Sequence, residues 1–144
     1  MSKLVYGKGI NDRTRPTLAD GKNVKEYDLW TGMLERCFSE KSQTRYPTYK
    51  SCSVSDNFLN YSFFYDWCQG QIGFGKVDEK GRSWCLDKDL LFIGNKTYSE
   101  TTCVFHKETA LILSRHYGLN LKHLSLINLR SIRPFPPILL LRMF

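Results

Sequence analysis

The sequence predicts an α+β protein, in which an N-terminal helical region precedes a small ββα unit and a helical tail. Apolar residues recur at helical spacing across 26–40 and crowd the segment 56–69. Two short strand-like runs lie at 83–91 and 102–105, and a helical pattern at 107–117 follows them and ends at Gly118. The expected parts are an arm at 1–25, a helical region with an aromatic core at 26–82, the ββα unit at 83–118 and an apolar, basic tail at 119–144.

The arm and the first helix are distinguished by their spacing. Asp20-Gly21 is a turn signal between short apolar stretches, so the arm is expected to be a loose hairpin outside the core. From Tyr27 onward the pattern changes, and Tyr27, Trp30 and Leu34 begin one helical stripe that continues to Phe38. This stripe predicts a helix at about 26–40.

The second helix, at about 56–69, is predicted to begin at a capping Ser55. It is apolar on nearly every side, with Phe58, Tyr61 and Phe64 among its aromatic residues. These rings are expected to form core. The alternative is that an exposed ring stacks on a nucleic-acid base.

The ββα unit opens with three adjacent charges, Asp87, Lys88 and Asp89, between apolar residues. Side chains alternate along a strand, so Asp87 and Asp89 are expected on one face and Lys88 on the other. One interpretation is a solvated strand face with a Lys–Asp pair of little energetic weight. The other is a site that faces a metal ion or a phosphate.

The charge of the chain favours polyanionic partners. The net charge is +7, and residues 105–144 hold six Lys and Arg against one acidic residue. Together with the ββα unit, this predicts that some basic side chains follow a phosphate backbone. The candidates are Arg36, Arg45, Lys50, Lys88 and Lys96.

The cysteines and the hydropathy bound the location of the protein. Five cysteines lie 15 to 18 residues apart without a CxxC pair, so we expect reduced, mostly buried thiols and no zinc. No apolar run approaches the ~20 residues that span a bilayer. We expect a cytoplasmic protein without a membrane partner. The three histidines, His106, His116 and His123, are expected at the surface or at helix ends.

Three blocks of the sequence match the motifs of a known family. They are "YDLWTGMLERCF" (27–38), like the family's W-x-x-M-x-x-R-C; "YKSCSVSDNFLNYSFFYDW" (49–67), like V-x-x-x-W-x-x-F-x-x-F with Phe58 in the Trp place; and "LDKDLLFIGNKTYSETTCVF" (86–105), like LDRID followed by N-x-x-Y-S-P-E-N-C-R-W. In these three blocks the chain resembles the phage-encoded HNH homing endonucleases. The resemblance covers roughly 27–105 and implies a ββα-metal, HNH-like unit. In such a unit a metal ion polarises the scissile phosphate while a base activates water.

The resemblance implies a role for each matching residue. Asp87 stands at the leading acidic position, and Asp89 or Glu108 is a further candidate ligand for Mg²⁺, which hard carboxylate oxygens suit. Lys88 stands where an HNH motif has its histidine base. Lysine is a cation at neutral pH and a poor base, although it can stabilise charge on a phosphate. Asn95 and Tyr98 match the family's loop positions.

Two functions are therefore expected as alternatives. One is an HNH-like endonuclease that hydrolyses phosphodiester bonds of duplex DNA with Mg²⁺. The other is an inactive phage protein of the same scaffold, which binds DNA or inhibits a host defence or replication protein.

The composition changes after Phe105, to ten leucines and one acid in the last 40 residues. This predicts either a frameshifted or truncated end or a natural helical appendage, and the apolar "PFPPILLL" is either a partner contact or an aggregation liability.

Overall fold

The structure, a computed structural model, describes residues 3–107, and within them an α+β fold begins with a two-stranded hairpin, continues through the helices and ends in short strands. The helices are α1 (Lys25–Phe38), α2 (Glu40–Arg45), α3 (Asp56–Leu59) and α4 (Tyr61–Gln69), with a 3₁₀ turn at Pro47–Tyr49. The strands are β1 (Leu18–Ala19), β2 (Lys22–Asn23), β3 (Ser53–Val54), β4 (Cys85–Asp87), β5 (Thr97–Tyr98) and β6 (Val104–His106). The helix predicted at 107–117, Glu108 and the tail at 119–144 lie outside the described residues.

The helix predicted at 26–40 is confirmed as α1, because its apolar stripe is the face that the core buries. Trp30, Met33 and Leu34 are fully buried, and the Trp30 indole Nε1 donates to the Phe58 carbonyl over 2.8 Å. The chain leaves the helix at Ser39, whose extended backbone ends α1. The Ser39 side chain then accepts from the Ser42 amide and begins α2, a short helix that the sequence pattern did not predict.

The helix predicted at 56–69 is two helices, because the arm pairs with the chain at its middle. The Ser55 cap is confirmed, since its hydroxyl accepts from the Phe58 amide at 3.3 Å. At Asn60, however, the backbone pairs with Ile10 and the helix is interrupted. The Ile10 carbonyl accepts from the Tyr61 amide, and the Ile10 amide donates to the Leu59 carbonyl. The Asn60 side chain then accepts from the amides that follow and caps α4.

The arm is joined to α4 by side chains as well as by this bridge. The Arg15 guanidinium forms a bidentate pair with Asp66, both contacts being 2.7 Å long. The Tyr61 hydroxyl donates to the Pro16 carbonyl at 2.7 Å. The turn predicted at Asp20-Gly21 is confirmed, and both residues have positive φ between the antiparallel strands β1 and β2.

The aromatic residues form the core, as predicted. Phe58, Tyr61 and Phe64 are fully buried, whereas Phe63 is 38% exposed. The Trp67 ring joins this cluster to the strands, with its centroid 4.9 Å from that of Phe58 and 5.8 Å from that of Phe105.

Close packing also explains one glycine of the polar connection at 70–82. A Cβ at Gly73 would lie 2.6 Å from the Phe105 Cβ and 2.6 Å from a carbon of the Trp84 ring. The backbone at this position therefore packs directly against β6, and a larger residue would force the strand and the connection apart.

The strands pair in three separate two-stranded sheets, β1 with β2, β3 with β5 in parallel, and β4 with β6 antiparallel. The strand predicted at 83–91 is only Cys85–Asp87, because the Asp87 carboxylate accepts from the amides of Asp89 and Leu90 and turns the chain away. The strand predicted at 102–105 is Val104–His106, shifted by a turn at Ser99–Cys103.

Four of the five cysteines are buried, in agreement with the predicted mostly buried thiols. All five are free thiols, and of these only Cys85 is exposed. Burial raises the pKa of the Cys37 thiol and that of the Cys103 thiol to about 12. Within residues 3–107, no helix has the length and apolar character that crossing a membrane requires.

Candidate functional site

The pairing of β4 with β6 places two ionisable side chains on one face. Cys85 lies opposite His106, and Asp87 lies opposite Val104. Directly opposed residues of an antiparallel pair share a face, and so do residues two apart on one strand. Asp87 and His106 therefore share a face, while Phe105 points the other way into the core.

The two oxygens of Asp87 have different partners. Oδ1 accepts from the Asp89 amide at 2.8 Å and from the Leu90 amide at 2.9 Å. Oδ2 lies 3.5 Å from His106 Nε2. Burial raises the pKa of Asp87, but the facing imidazole and the hydrogen bonds from Asp89 outweigh burial and hold the pKa below its usual range. Asp87 is therefore a carboxylate with one oxygen directed at His106.

His106 is buried, with 6% of its surface exposed, and its Nε2 has no hydrogen-bond partner. The 3.5 Å to Asp87 exceeds the usual length of an N–H···O bond. Its Nδ1 lies 2.5 Å from the Lys107 carbonyl, which can only accept, so Nδ1 carries the proton. Nε2 then faces Asp87 Oδ2, and the contact is favourable when a second ring proton or a metal cation lies between these two atoms.

This placement corrects one prediction and adds a residue that the sequence pattern did not single out. His106 was expected at the surface or at a helix end, and this is wrong because β6 continues to residue 106. His116 and His123 lie outside the described residues. The signal in the sequence was the position of His106 directly after a predicted strand.

Lys88 lies inward rather than on an open strand face. It is 8% exposed, its ammonium is 3.8 Å from Asp89 Oδ2, and it lies 5.6 Å from the centre of the Tyr98 ring. The predicted alternation does not extend to Lys88 and Asp89, because the strand ends at Asp87. Asp89 therefore faces Lys88, and its backbone amide donates to Asp87 Oδ1.

Asn95 connects the two ends of the loop between β4 and β5. Its side-chain amide donates to the Lys88 carbonyl and to the Thr97 carbonyl, both over 2.7 Å. Both donor positions of the amide are thereby used by backbone. Asn95 fixes the loop that carries Asp87 and Lys88, and it acts on the site through that loop.

Tyr98 lies between two of the predicted phosphate-binding cations. It is 4% exposed, and its hydroxyl accepts from Arg36 Nε at 3.2 Å. The Arg36 guanidinium lies 5.7 Å from the centre of the Tyr98 ring, and the Lys88 ammonium lies 5.6 Å from the same centre. The Tyr98 ring offers little surface to a ligand, and it orders Arg36 and Lys88 instead.

The remaining predicted basic residues lie on the surface. Lys50 and Lys96 are exposed, and the Lys96 ammonium reaches the Thr48 carbonyl at 3.5 Å. Arg45 is exposed in the last turn of α2. The structure therefore brings Asp87, Lys88, Asp89, Asn95 and Tyr98 together with Arg36, and it places Arg45 and Lys50 on the helical region.

The donor set fits a divalent cation only as a two-ligand site. Asp87 Oδ2 and His106 Nε2 face each other across 3.5 Å, while no group of three or more His, Cys, Asp or Glu suited to a metal occurs within residues 3–107. Mg²⁺ is commonly held by one or two protein ligands with water completing its shell. An imidazole nitrogen additionally suits transition metals.

Comparisons with protein-family models, with curated proteins and with solved structures found no match for this chain.

Proposed function

We propose that the protein is an HNH-like endonuclease of phage type, which hydrolyses phosphodiester bonds of duplex DNA with a divalent metal ion. The observation that carries the proposal is the Asp87–His106 pair, in which Nε2 of the buried imidazole, without a hydrogen-bond partner, faces Oδ2 of the partly buried carboxylate across 3.5 Å. The resemblance of residues 86–105 to the HNH hairpin is consistent with an acidic ligand at Asp87 and a loop asparagine at Asn95.

Asp87 and His106 would hold the ion, and Mg²⁺ remains the proposed cofactor. When bound, such an ion polarises the scissile phosphate and stabilises the leaving oxygen. The chain's own contribution is to order the ligands before DNA arrives. The Asp87 carboxylate accepts from the Asp89 backbone amide, and the Asn95 side chain donates to the Lys88 carbonyl, so both fix the loop. Arg36 and Lys96 supply positive charge for the phosphate backbone.

Lys88 favours a second candidate function, a non-catalytic protein of the same scaffold that binds DNA or a host protein. In the position of the HNH base, its ammonium is buried against Asp89 and the Tyr98 ring. A cation held in this way can stabilise a phosphate but is a poor acceptor for the proton of an attacking water.

A plasmid-nicking assay with Mg²⁺, with Mn²⁺ and with EDTA separates the two functions. The informative variant is Asp87→Asn, because an amide oxygen can still accept from the Asp89 and Leu90 amides while the charge is lost. His106→Gln tests the second ligand. Asp20→Asn, the same exchange in the β1–β2 turn, is the control.

The endonuclease is expected to nick only with metal and to lose on the order of 100-fold in rate in Asp87→Asn and His106→Gln, with Asp20→Asn unchanged. Equal rates in wild type and Asp87→Asn would refute the metal site. Inactivity of the wild type in every condition would refute the enzyme. Metal-independent DNA binding that survives Asp87→Asn would then support the second function, by gel shift in EDTA.

A further inference from the structure

A cleft of about 350 Å³ opens beside the C-terminal half of α1. Its walls are contributed by α1, by α2 and by the residues that follow α2, and the lining residues are Gly32, Glu35, Arg36, Ser42, Tyr46 and Tyr49. The volume lies at the lower end of the roughly 300–1,000 Å³ typical of small-molecule sites. It is too small for a duplex and suits one nucleotide.

Arg36 is held in one conformation before any ligand arrives. Its Nε donates to the Tyr98 hydroxyl at 3.2 Å, and its guanidinium carbon lies 5.9 Å from the Tyr49 ring centre and 5.7 Å from that of Tyr98. A guanidinium fixed between two rings retains its terminal nitrogens for an anion. Arginine in this state binds a phosphate with little loss of side-chain entropy.

Gly32 lines the cleft, and packing in the protein core does not explain why this residue is glycine. It lies in the interior of α1, where glycine is less favourable than alanine. A Cβ at this position would approach nothing closer than Arg36 Nη1, at 3.6 Å, which is an ordinary contact. The protein core therefore does not require glycine here, and the space that glycine leaves is the space beside the guanidinium.

Two tyrosines supply an aromatic wall. Tyr46 is 52% exposed and Tyr49 is half-buried, with ring centroids 6.5 Å apart and ring planes at 82°. An exposed aromatic face binds an unpaired base by stacking, whatever the base. Glu35, also in the lining, can accept hydrogen bonds from a base amino group.

We propose that this cleft binds one unpaired nucleotide of a DNA strand, with the base stacked on Tyr46 and the phosphate on the guanidinium of Arg36. The inference rests on the proposed function in taking DNA as the partner, and it adds an affinity for single-stranded or locally opened DNA that phosphate contacts alone do not provide.

Fluorescence anisotropy in EDTA tests the proposal, with a labelled single-stranded oligonucleotide and the duplex of the same sequence as probes. Tyr46→Ala is expected to weaken single-strand binding by roughly 10-fold or more, whereas Tyr46→Phe keeps the ring and retains binding. Gly32→Leu fills the cleft with a better helix former, so it is expected to lose single-strand binding without a lower Tm. Phe63→Ala removes an exposed ring on α4 and is the control.

The proposal would be overturned if Tyr46→Ala bound the single strand as tightly as the wild type, or if Tyr46→Phe lost as much affinity as Tyr46→Ala. A wild type that binds no single strand would also overturn it. If the wild type nicks DNA with metal and Tyr46→Ala leaves single-strand affinity unchanged, the nucleotide site in the cleft is rejected and the endonuclease is retained. Single-strand binding that requires Tyr46, without nicking, would keep the cleft and reject the endonuclease.

Discussion

Asn95 offers a test of the loop that does not depend on the function of the protein. Its amide donates two hydrogen bonds of 2.7 Å, to the Lys88 and Thr97 carbonyls. Asn95→Ala removes both donors and leaves the carbonyls to water where water can reach them. Asn95→Asp keeps the shape of the side chain but replaces the donating nitrogen with an oxygen, which faces two carbonyl oxygens.

The expected losses follow from this geometry. A neutral intramolecular hydrogen bond contributes about 0.5–1.5 kcal/mol net, so Asn95→Ala is expected to lower the free energy of unfolding by about 1–3 kcal/mol. In Asn95→Asp the same bonds are lost, and a carboxylate is brought against carbonyl groups in a half-buried place, so the loss is expected to be greater, about 2–5 kcal/mol. The sharper prediction is that Asn95→Asp lowers the free energy of unfolding more than Asn95→Ala does.

Urea denaturation followed by tryptophan fluorescence measures both losses. Asn23→Ala is the matched control, since the Asn23 amide also donates over 2.7 Å, to Asp28, but both side chains are exposed. It is expected to cost less than about 0.5 kcal/mol. An Asn95→Asp variant as stable as Asn95→Ala or more stable, or an Asn95→Ala variant within that margin of the wild type, would refute the role given to this amide.

Three further predictions concern the core, the thiols and acid stability. Phe64→Ala is expected to lower the free energy of unfolding in urea by about 3–5 kcal/mol, and its neighbour Phe63→Ala by under about 1 kcal/mol, because Phe64 is fully buried and Phe63 is 38% exposed; similar losses would contradict the packing. A thiol reagent at about pH 8 is expected to modify Cys85 rapidly in the folded protein and the other four cysteines only after denaturation, since burial raises the pKa of Cys37 and Cys103 to about 12; fast modification of more than one thiol would contradict this. The pKa of Asp87 is held below its usual range, so its stabilisation is fully present above the unfolded pKa of about 4 and is lost as the pH falls through the lower folded pKa. The Tm difference between wild type and Asp87→Asn is therefore expected to shrink between about pH 5 and the acid limit of folding, and a constant difference would show that the charge does not contribute.

The local features of the fold were predictable from local sequence. The apolar stripe from Tyr27 defines α1 because a helix that packs by one face needs that period, and Asp20-Gly21 defines its hairpin because both residues tolerate positive φ. The break at Asn60 was not predictable in this way. The apolar pattern continues through it, and the cause is a backbone contact from Ile10, fifty residues earlier in the chain.

The candidate site shows the same division between local and distant causes. Asp87 was singled out by its position, but its carboxylate also acts as a local acceptor that ends the strand after three residues, and alternation therefore assigns Lys88 to the wrong environment. The partner of Asp87 was missed because β6 had to extend to His106 and pair with β4 in one particular register. A shift by one residue would have turned His106 to the opposite face.

The two carboxylate oxygens of Asp87 have different roles, and this difference determines which experiments can inform on function. Because Oδ1 holds the turn at Asp89 and Leu90, removing the whole side chain would disturb the loop and abolish activity whether or not the residue ever binds a metal. Only Oδ2 faces His106, so the charge and the lone pair at that oxygen are the features specific to a metal site. A substitution that preserves the turn and removes the charge therefore separates the two roles. If Asp87→Asn folds normally and still nicks DNA, the pair is a structural element of the β4–β6 sheet and the catalytic centre lies elsewhere.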